Sequence, residues 1–275
     1  MSNSSKNLHF SGEISSTQDE VTEINVATPA VNKVRILTLN MHKGFTVFNR
    51  RFILPELRDA VRALSTDIVF LQEVHGTHRE HAEKLSNWPK VSQYEFLADS
   101  MWPEYSYGRN AVYPHGDHGN ALLSKYPITR YKNLDVSIGK IEQRGLLYSV
   151  LKLPNGKELH AICVHLGLRE NHRQQQLNLL CKLVESLPEK EPVIIAGDFN
   201  DWRIRANKTL AQVGFHEAFL NAFGKSAKSF PARWPLLSLD RIYIRNATSL
   251  NPKVLHDQPW SHLSDHAPLS VEIHI

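Results

Sequence analysis

Two short runs constrain the fold more than anything else in this chain. Asp67-Ile68-Val69-Phe70-Leu71-Gln72-Glu73-Val74 and Pro192-Val193-Ile194-Ile195-Ala196-Gly197-Asp198 are apolar along their whole length, rich in strand-forming residues and too short for most helices. A strand with one wet face would alternate apolar and polar residues. Continuous apolarity therefore predicts inner strands buried on both faces. Each run also ends on or next to a carboxylate, and such groups sit at the ends of buried strands when a sheet displays chemistry at its edge.

The rest of the pattern supports a sheet scaffold. Val34-Arg35-Ile36-Leu37-Thr38-Leu39 reads as a strand, followed by a loop through Gly44 and a helix with Ile53, Leu57, Ala60, Val61 and Leu64 on one face. Ala121-Leu122-Leu123-Ser124 and Gly145–Leu153 read as further strands. Pro154-Asn155-Gly156-Lys157 gives the Asn-Gly signal of a tight hairpin, returning along Glu158 to about Leu166. A second amphipathic helix carries Leu177, Leu180, Cys181, Val184 and Leu187 on one face, with Pro188 near its end. Strands at Leu239–Ile244 and Leu269–Ile275 complete the C-terminal half. Strands and helices alternate without an internal repeat or a Pro/Ser linker, which predicts one α/β domain over 33–275. Residues 1–32 are rich in Ser, Asn and Thr without sustained periodicity and are expected to form a flexible tail.

A hydrophobic content of 41% with 22% charged residues excludes a disordered or collagen-like chain. Cys163 and Cys181 fall on a strand and a helix face and are expected as buried, reduced thiols. The N-terminus lacks a signal-peptide pattern, and no run approaches the ~20 apolar residues that span a bilayer, so the expected location is cytoplasmic. The net charge of +4 hides an asymmetry, because residues 1–32 carry one Lys against Glu13, Asp19, Glu20 and Glu23. The remaining body is thus +7, a surplus that suits a polyanionic partner but that solubility alone would also explain.

The chemistry is read from where the polar residues stand. Asn40, Glu73, His165, Asp198 with Asn200, Asp240, and Asp265 with His266 each lie at or just beyond an end of a strand-like run. Singly, each could be a turn or cap residue. As a set they supply hard oxygen ligands, two imidazoles and one further carboxylate. Such oxygens suit Mg²⁺ or Mn²⁺, which leave room for a phosphate oxygen, so the set points to hydrolysis at phosphorus.

Leu37-Thr38-Leu39-Asn40, Leu71-Gln72-Glu73, His165-Leu166, Gly197-Asp198-Phe199-Asn200, Leu239-Asp240-Arg241-Ile242-Tyr243 and Ser264-Asp265-His266-Ala267-Pro268-Leu269 resemble, in order, the signatures of the endonuclease/exonuclease/phosphatase superfamily. That superfamily includes deoxyribonuclease I, apurinic endonucleases, neutral sphingomyelinases and inositol polyphosphate phosphatases. Gly119-Asn120-Ala121-Leu122-Leu123-Ser124-Lys125-Tyr126-Pro127, and His165-Leu166-Gly167 followed by Arg169, Arg173 and Gln176, resemble a bacterial branch usually described only by its domain. The resemblance implies a four-layer α/β/β/α sandwich, two packed mixed sheets flanked by helices. It also implies that Glu73 is the principal metal ligand, with Asn40 and Asp265 at the ion or its water. Asp198 would orient or deprotonate the attacking water, and Asn200 would hold a phosphate oxygen. His266, oriented by Asp240, would contact the phosphate, while His165 would stabilise the phosphorane and assist the leaving group.

Substrate contacts are expected among Arg109, Asn120, Arg144, Arg169, Arg173, Trp202 and Arg203, because guanidinium groups match phosphate and an aromatic can stack on a base. About two of the arginines are expected to touch substrate, the others being solvated. Phe230–Leu237 could form a rim wall, or Trp234 could pack in the core. His78-x-x-His81 and His115-Gly116-Asp117-His118 lack a clear set of further ligands and read as surface histidines. No GxSxG elbow, Walker loop or catalytic-cysteine signature is present. The expected activity is Mg²⁺- or Mn²⁺-dependent phosphodiester hydrolysis, with nucleic acid as the first substrate class and phospholipids or small phosphoesters as the alternative. A catalytically dead scaffold would have no reason to keep the whole polar set, and no protein partner is evident.

Overall fold

The structure, a computed structural model, describes residues 33–46, 50–99, 101–140 and 142–275. The expected N-terminal tail, 1–32, lies outside the described residues. In chain order the elements are β1 Val34–Asn40, α1 Leu54–Ala63, β2 Ile68–His78, α2 Arg79–Lys84, α3 Gln93–Ala98, β3 Glu104–Tyr113, β4 Gly116–Ser124, β5 Ile128–Asp135, β6 Gly145–Lys152 and β7 Glu158–His165. They continue with α4 Glu170–Glu185, β8 Val193–Asp198, α5 Arg205–Ala211, β9 His216–Glu217, α6 Ala218–Phe223, β10 Asp240–Arg245, β11 Thr248–Val254, α7 Trp260–Leu263 and β12 Leu269–His274.

The strands form two six-stranded mixed sheets, ordered β11-β12-β1-β2-β4-β3 and β5-β6-β7-β8-β10-β9. Each sheet has one parallel pair at its centre, β1/β2 connected through α1 and β7/β8 connected through α4. The expected four layers follow from which side chains each strand turns to which face. Ile36, Ile68, Phe70, Ala161, Cys163, Ile194 and Ile242 fill the core between the sheets. Their neighbours Leu37, Val69 and Leu71 point outward to Leu54, Leu57, Val61 and Trp102. On the other sheet Ile162, Val164 and Ile195 meet Leu177, Leu180 and Val184 of α4. Both faces of the central strands are thus dry, which is why their sequences do not alternate. Cys163 is buried and Cys181 half-buried, both as free thiols.

At the β6–β7 hairpin only Gly156 takes a positive φ, +84°, and the Gly156 N–H donates to the Leu153 carbonyl at 2.9 Å. The loop therefore needs the glycine but not an unusual backbone at Asn155. Gly197 is required for a different reason: its φ is +145° and an added Cβ would lie 2.0 Å from the Val164 carbonyl oxygen. Only glycine lets β8 approach β7 closely just before Asp198. No helix among the described residues is long and apolar enough to cross a membrane.

Candidate active site

The two parallel pairs end at the same edge of the sandwich. Asn40 closes β1 beside Gln72 of β2, while His165 closes β7 opposite Asp198 of β8, which in turn pairs with Asp240 at the start of β10. Glu73 reaches this edge through a bulge. Leu71 pairs with Ala121 and Val74 with Gly119, so Gln72 and Glu73 together face the single residue Asn120. Glu73 takes φ +56° there, and Asn200 takes φ +51° in the turn after Asp198. Two non-glycine residues held in the left-handed region at one site are backbone strain that the surrounding packing must hold in place.

Hydrogen bonds link the set. The Asn40 amide donates to Asp198 Oδ2 at 3.1 Å and to Glu73 Oε1 at 3.4 Å, while its oxygen accepts from the His42 N–H at 3.1 Å. His266 Nδ1 lies 2.8 Å from Asp240 Oδ2, and its Nε2 lies 3.8 Å from Asp198 Oδ2. His165 Nε2 is 3.7 Å from that same oxygen. The Asn200 N–H donates to Asp198 Oδ1 at 2.8 Å, and its side chain donates to the Leu166 carbonyl at 2.9 Å. Ser264 ties the last loop to the first strand: its hydroxyl donates to the Asn40 carbonyl at 2.6 Å and accepts from the His266 N–H at 3.2 Å. Asp265 stands 3.3 Å from His42 Nδ1.

Burial and neighbours divide these groups by charge. Burial is the main force pushing the Asp198 carboxyl up to about 6, with His266 opposing and Asp240 adding. Burial works against a charged His266, yet the Asp240 and Asp198 carboxylates outweigh it and raise the ring to about 10. His165 goes the other way, down to about 3, through burial and then the nearby Arg144. Burial alone would raise Glu73; His165, Lys43, His42 and the Asn40 amide outweigh it and hold the carboxyl below the ordinary range. The site therefore contains an imidazolium between two acids, a neutral imidazole and an ionised carboxylate at the rim.

The donor chemistry fits a hard divalent cation. Glu73, bonded to the Asn40 amide, and Asp265, linked to Asn40 through His42 and Ser264, are partly exposed oxygen donors, with Lys43 Nζ 4.0 Å from Glu73. Among the described residues, the group of acid and imidazole ligand atoms lying mutually within 4.8 Å is Asp198, Asp240 and His266. In that trio the ring is already engaged by Asp240, so its geometry suits proton handling, whereas the Glu73 rim offers oxygens alone.

The expected substrate contacts separate into two kinds. Arg109, Arg169, Trp202 and Arg203 are exposed, Arg203 lying over the Trp202 ring at 4.7 Å. Arg144 is half-buried beside His165, its Nε donating to the Leu166 carbonyl at 3.2 Å. Asn120 and Arg173 are turned inward instead. Asn120 is fully buried, and its amide donates across the sandwich to the Gly145 and Cys163 carbonyls, behind the Glu73 bulge. Arg173, 2% exposed, donates to the Gly167 and Leu168 carbonyls and pairs with Glu170 at 2.6 Å. With Gln176 Oε1 accepting from the Gly167 N–H at 2.8 Å, it clamps the loop that follows His165.

Several residues near the site carried no sequence signal of their own. His42 and Lys43 are examples; Phe230, in the segment expected as a rim wall, has its ring centre 5.0 Å from that of His266. Arg241, fully buried, donates to the Ser238 and Asp201 carbonyls and braces the loop after Asn200. Of the two readings of Trp234, the structure excludes the core, since the residue is 70% exposed. The surface reading of the histidines holds for His115, which is exposed, and needs correction for His78, His81 and His118. His118 lies in β4 directly opposite His75 of β2, and both rings border a cavity shared with His78 and His81.

The sequence profile of the Endonuclease/Exonuclease/phosphatase family matches residues 37–266. The chain is 59% identical over 243 residues to YbhP of Escherichia coli K12, an uncharacterised protein, covering 88% of this chain and 96% of YbhP. In three dimensions it is similar to an endonuclease/exonuclease/phosphatase from Beutenbergia cavernae, with a TM-score of 0.70 at 16% identity over 89% of this chain and 72% of that one. It is also similar to D. rerio TDP2 complexed with single strand DNA product, with a TM-score of 0.65 at 17% identity over 88% and 99% of the two chains.

Proposed function

The chain belongs to the Endonuclease/Exonuclease/phosphatase family, and from that premise we propose that it is a Mg²⁺- or Mn²⁺-dependent phosphodiesterase acting on nucleic acid. The observation that carries the hydrolytic reading is the buried chain Asn40–Asp198···His266–Asp240, with the ionised Glu73 at its open end. A scaffold that only bound ligands would gain nothing from burying two carboxylates around an imidazolium, an arrangement whose desolvation is costly.

Glu73, with Asn40 and Asp265 beside it, would hold the cation, which when bound supplies positive charge to the non-bridging phosphate oxygens. Asp198 takes the proton of the attacking water as its oxygen bonds to phosphorus, and its raised pKa makes it a stronger base than an ordinary carboxylate. His266, kept cationic and aimed by Asp240, donates to the phosphate oxygens as their charge grows, and is the nearest acid for the leaving oxygen once its bond to phosphorus breaks. His165 is neutral and acts as a hydrogen-bond donor beside the same centre. The remaining N–H of the Asn200 amide holds a phosphate oxygen.

Two features support nucleic acid as the substrate class. Trp202 and Arg203 form an exposed ring-and-guanidinium surface two and three residues beyond Asn200, suited to a base and its phosphate. The D. rerio TDP2 chain is itself described with a single strand DNA product. The test is an activity panel of chelator-treated protein with Mg²⁺ or Mn²⁺ restored, against single- and double-stranded DNA, RNA, phospholipid vesicles and inositol phosphates. Cleavage of an oligonucleotide that stops with chelator is expected. Turnover confined to a lipid or inositol phosphate would replace the substrate class, and turnover unaffected by chelator would overturn the metal assignment.

A further inference from the structure

Beyond Glu73, β2 runs on into a wall of imidazoles. His75, His78, His81 and His118, with Phe45 and Tyr113, line a cavity of about 330 Å³. The His78 and His81 rings are stacked at 3.6 Å, and the His75 ring centre lies 4.9 Å from His78, 5.8 Å from His81 and 6.3 Å from His118. Nδ1 of His75, of His81 and of His118 is buried without a hydrogen-bond partner. Three orphaned nitrogens on the rings that line one cavity are unusual, because a buried polar atom left unpaired is costly. His78 differs: its Nδ1 accepts from the His81 N–H at 3.2 Å as the N-cap of α2.

We propose that this cavity is a binding site for one late first-row divalent cation, Zn²⁺ foremost, with His75, His81 and His118 as ligands and His78 packed on His81 as support. The donor set argues for a metal over an anion. The described lining offers four imidazoles, three of them with an orphaned ring nitrogen, and Lys43 as its one fixed cation, a set that suits lone-pair donation to a metal more than capture of an anion. Imidazole nitrogens select Zn²⁺, Ni²⁺ or Cu²⁺, whereas the oxygen rim at Glu73 suits Mg²⁺ or Mn²⁺, so the two sites would sort ions by softness.

The ligating atoms are not already closed on a point, since the trio with ligand atoms mutually within 4.8 Å lies elsewhere, at Asp198. Rings sharing one ion have centres roughly 4.5–6 Å apart, given Zn–N bonds of ~2.0–2.1 Å. The 5.8 Å separation already lies in that range, and the 6.3 Å one is a few tenths of an ångström beyond it. A flip of an imidazole about its Cβ–Cγ bond exchanges carbon and nitrogen positions without moving the ring, so closure asks for ring flips together with an inward shift of His118. Lys43, the one cation on the cavity lining among the described residues, lies with its Nζ 4.0 Å from Glu73. A bound ion would tie β2, α2 and β4 together immediately beside the Glu73 bulge. The inference does not depend on the hydrolytic reading.

The test uses the full chain after chelator treatment, titrated with Zn²⁺ by calorimetry and with Co²⁺ by visible absorption. One Zn²⁺ per chain is expected, undisturbed by excess Mg²⁺ and retained in Glu73→Gln. His81→Ala and His118→Ala should each weaken it by roughly a hundredfold, since even partners of metal ligands are worth about 10–100-fold. X-ray absorption of the Zn²⁺-loaded wild type should report a nitrogen-dominated shell, a readout that requires no variant to fold. Absence of uptake by the wild type, an oxygen-rich shell, or uptake lost in Glu73→Gln but unchanged in both histidine variants would overturn the proposal.

Discussion

His266 and His75 are both buried imidazoles, 6% and 2% exposed, and the protein treats them in opposite ways. His266 lies between Asp240 and Asp198 and is kept charged; His75 faces other imidazoles and Lys43 and is driven down to about 2. Burial lowers both, so burial alone does not decide the outcome. The carboxylates at the ends of β8 and β10 reverse the sign for one ring, whereas the groups that act most on the other, beside burial, are imidazoles and Lys43, which lower it further. The comparison teaches that an imidazole's role in this protein is set by its partners: a charged donor at one place, a lone-pair donor at the next.

The largest effects should come from breaking the charged side of that comparison. Asp198→Asn and His266→Ala are each expected to lower kcat on a cleaved oligonucleotide by roughly a hundredfold or more, because each removes a transition-state contact. If the two act in one step, the double variant should be little slower than the slower single one. Losses that multiply would show that the pair does not work as a unit. Asp240→Asn should cost less, about tenfold or more, since it leaves His266 in place without the acid that keeps it charged. That loss should appear in kcat with KM nearly unchanged, and Asp240→Glu should recover part of it; a KM effect alone would make Asp240 a substrate contact.

How much of this was legible in the sequence follows from which forces act locally. The inner strands were readable because two dry faces leave continuous apolar runs, and their ends gave Asn40, Glu73, His165, Asp198, Asp240 and His266 as a set. The edge strands β3, β5 and β11 were not, because exposure leaves Ile128–Asp135 mostly polar, without a hydrophobic signature. Nor was the Glu73 bulge, which depends on Asn120 opposing two residues across β2 and β4. Arg173 and Arg203 look alike in sequence, yet the first is spent on Gly167, Leu168 and Glu170 and the second lies open over Trp202. The imidazole wall was missed because His75 and His118 meet only through strand pairing.

The paired arginine extends the comparison from imidazoles to guanidinium groups. Arg173→Ala is expected to destabilise the fold by about 2 kcal/mol or more, since it strands the Gly167 and Leu168 carbonyls and removes one of the three side chains bonded to the Glu170 carboxylate. Arg203→Ala should leave the denaturation midpoint unchanged and instead flatten the salt dependence of oligonucleotide binding by about one unit. Equal midpoints for the two variants would remove the distinction between clamp and contact.

The smallest effect, and the sharpest test of the lone-pair side, is at His160. This ring is fully buried in β7, its Nδ1 2.7 Å from the Tyr148 hydroxyl and its Nε2 without a partner. Burial lowers its pKa below the ordinary 6.5, Glu158 opposing and Arg130 adding. The sign follows by linkage. Above ~6.5 the ring is neutral in both the folded and unfolded states and contributes no pH dependence. Below it the unfolded chain takes the proton first, so stability is lost as pH falls, until the folded pKa is reached. His75, His118 and His165 act in the same direction, so replacing His160 should remove only part of the slope. His160→Gln retains an acceptor for Tyr148 but cannot titrate. Urea midpoints at about pH 7.5, 6.5 and 5.5 should therefore fall less steeply in the variant than in the wild type, the two curves converging towards acid. Parallel curves would mean that His160 keeps an ordinary pKa in the fold, and that burial without an acid does not suffice to hold an imidazole neutral here.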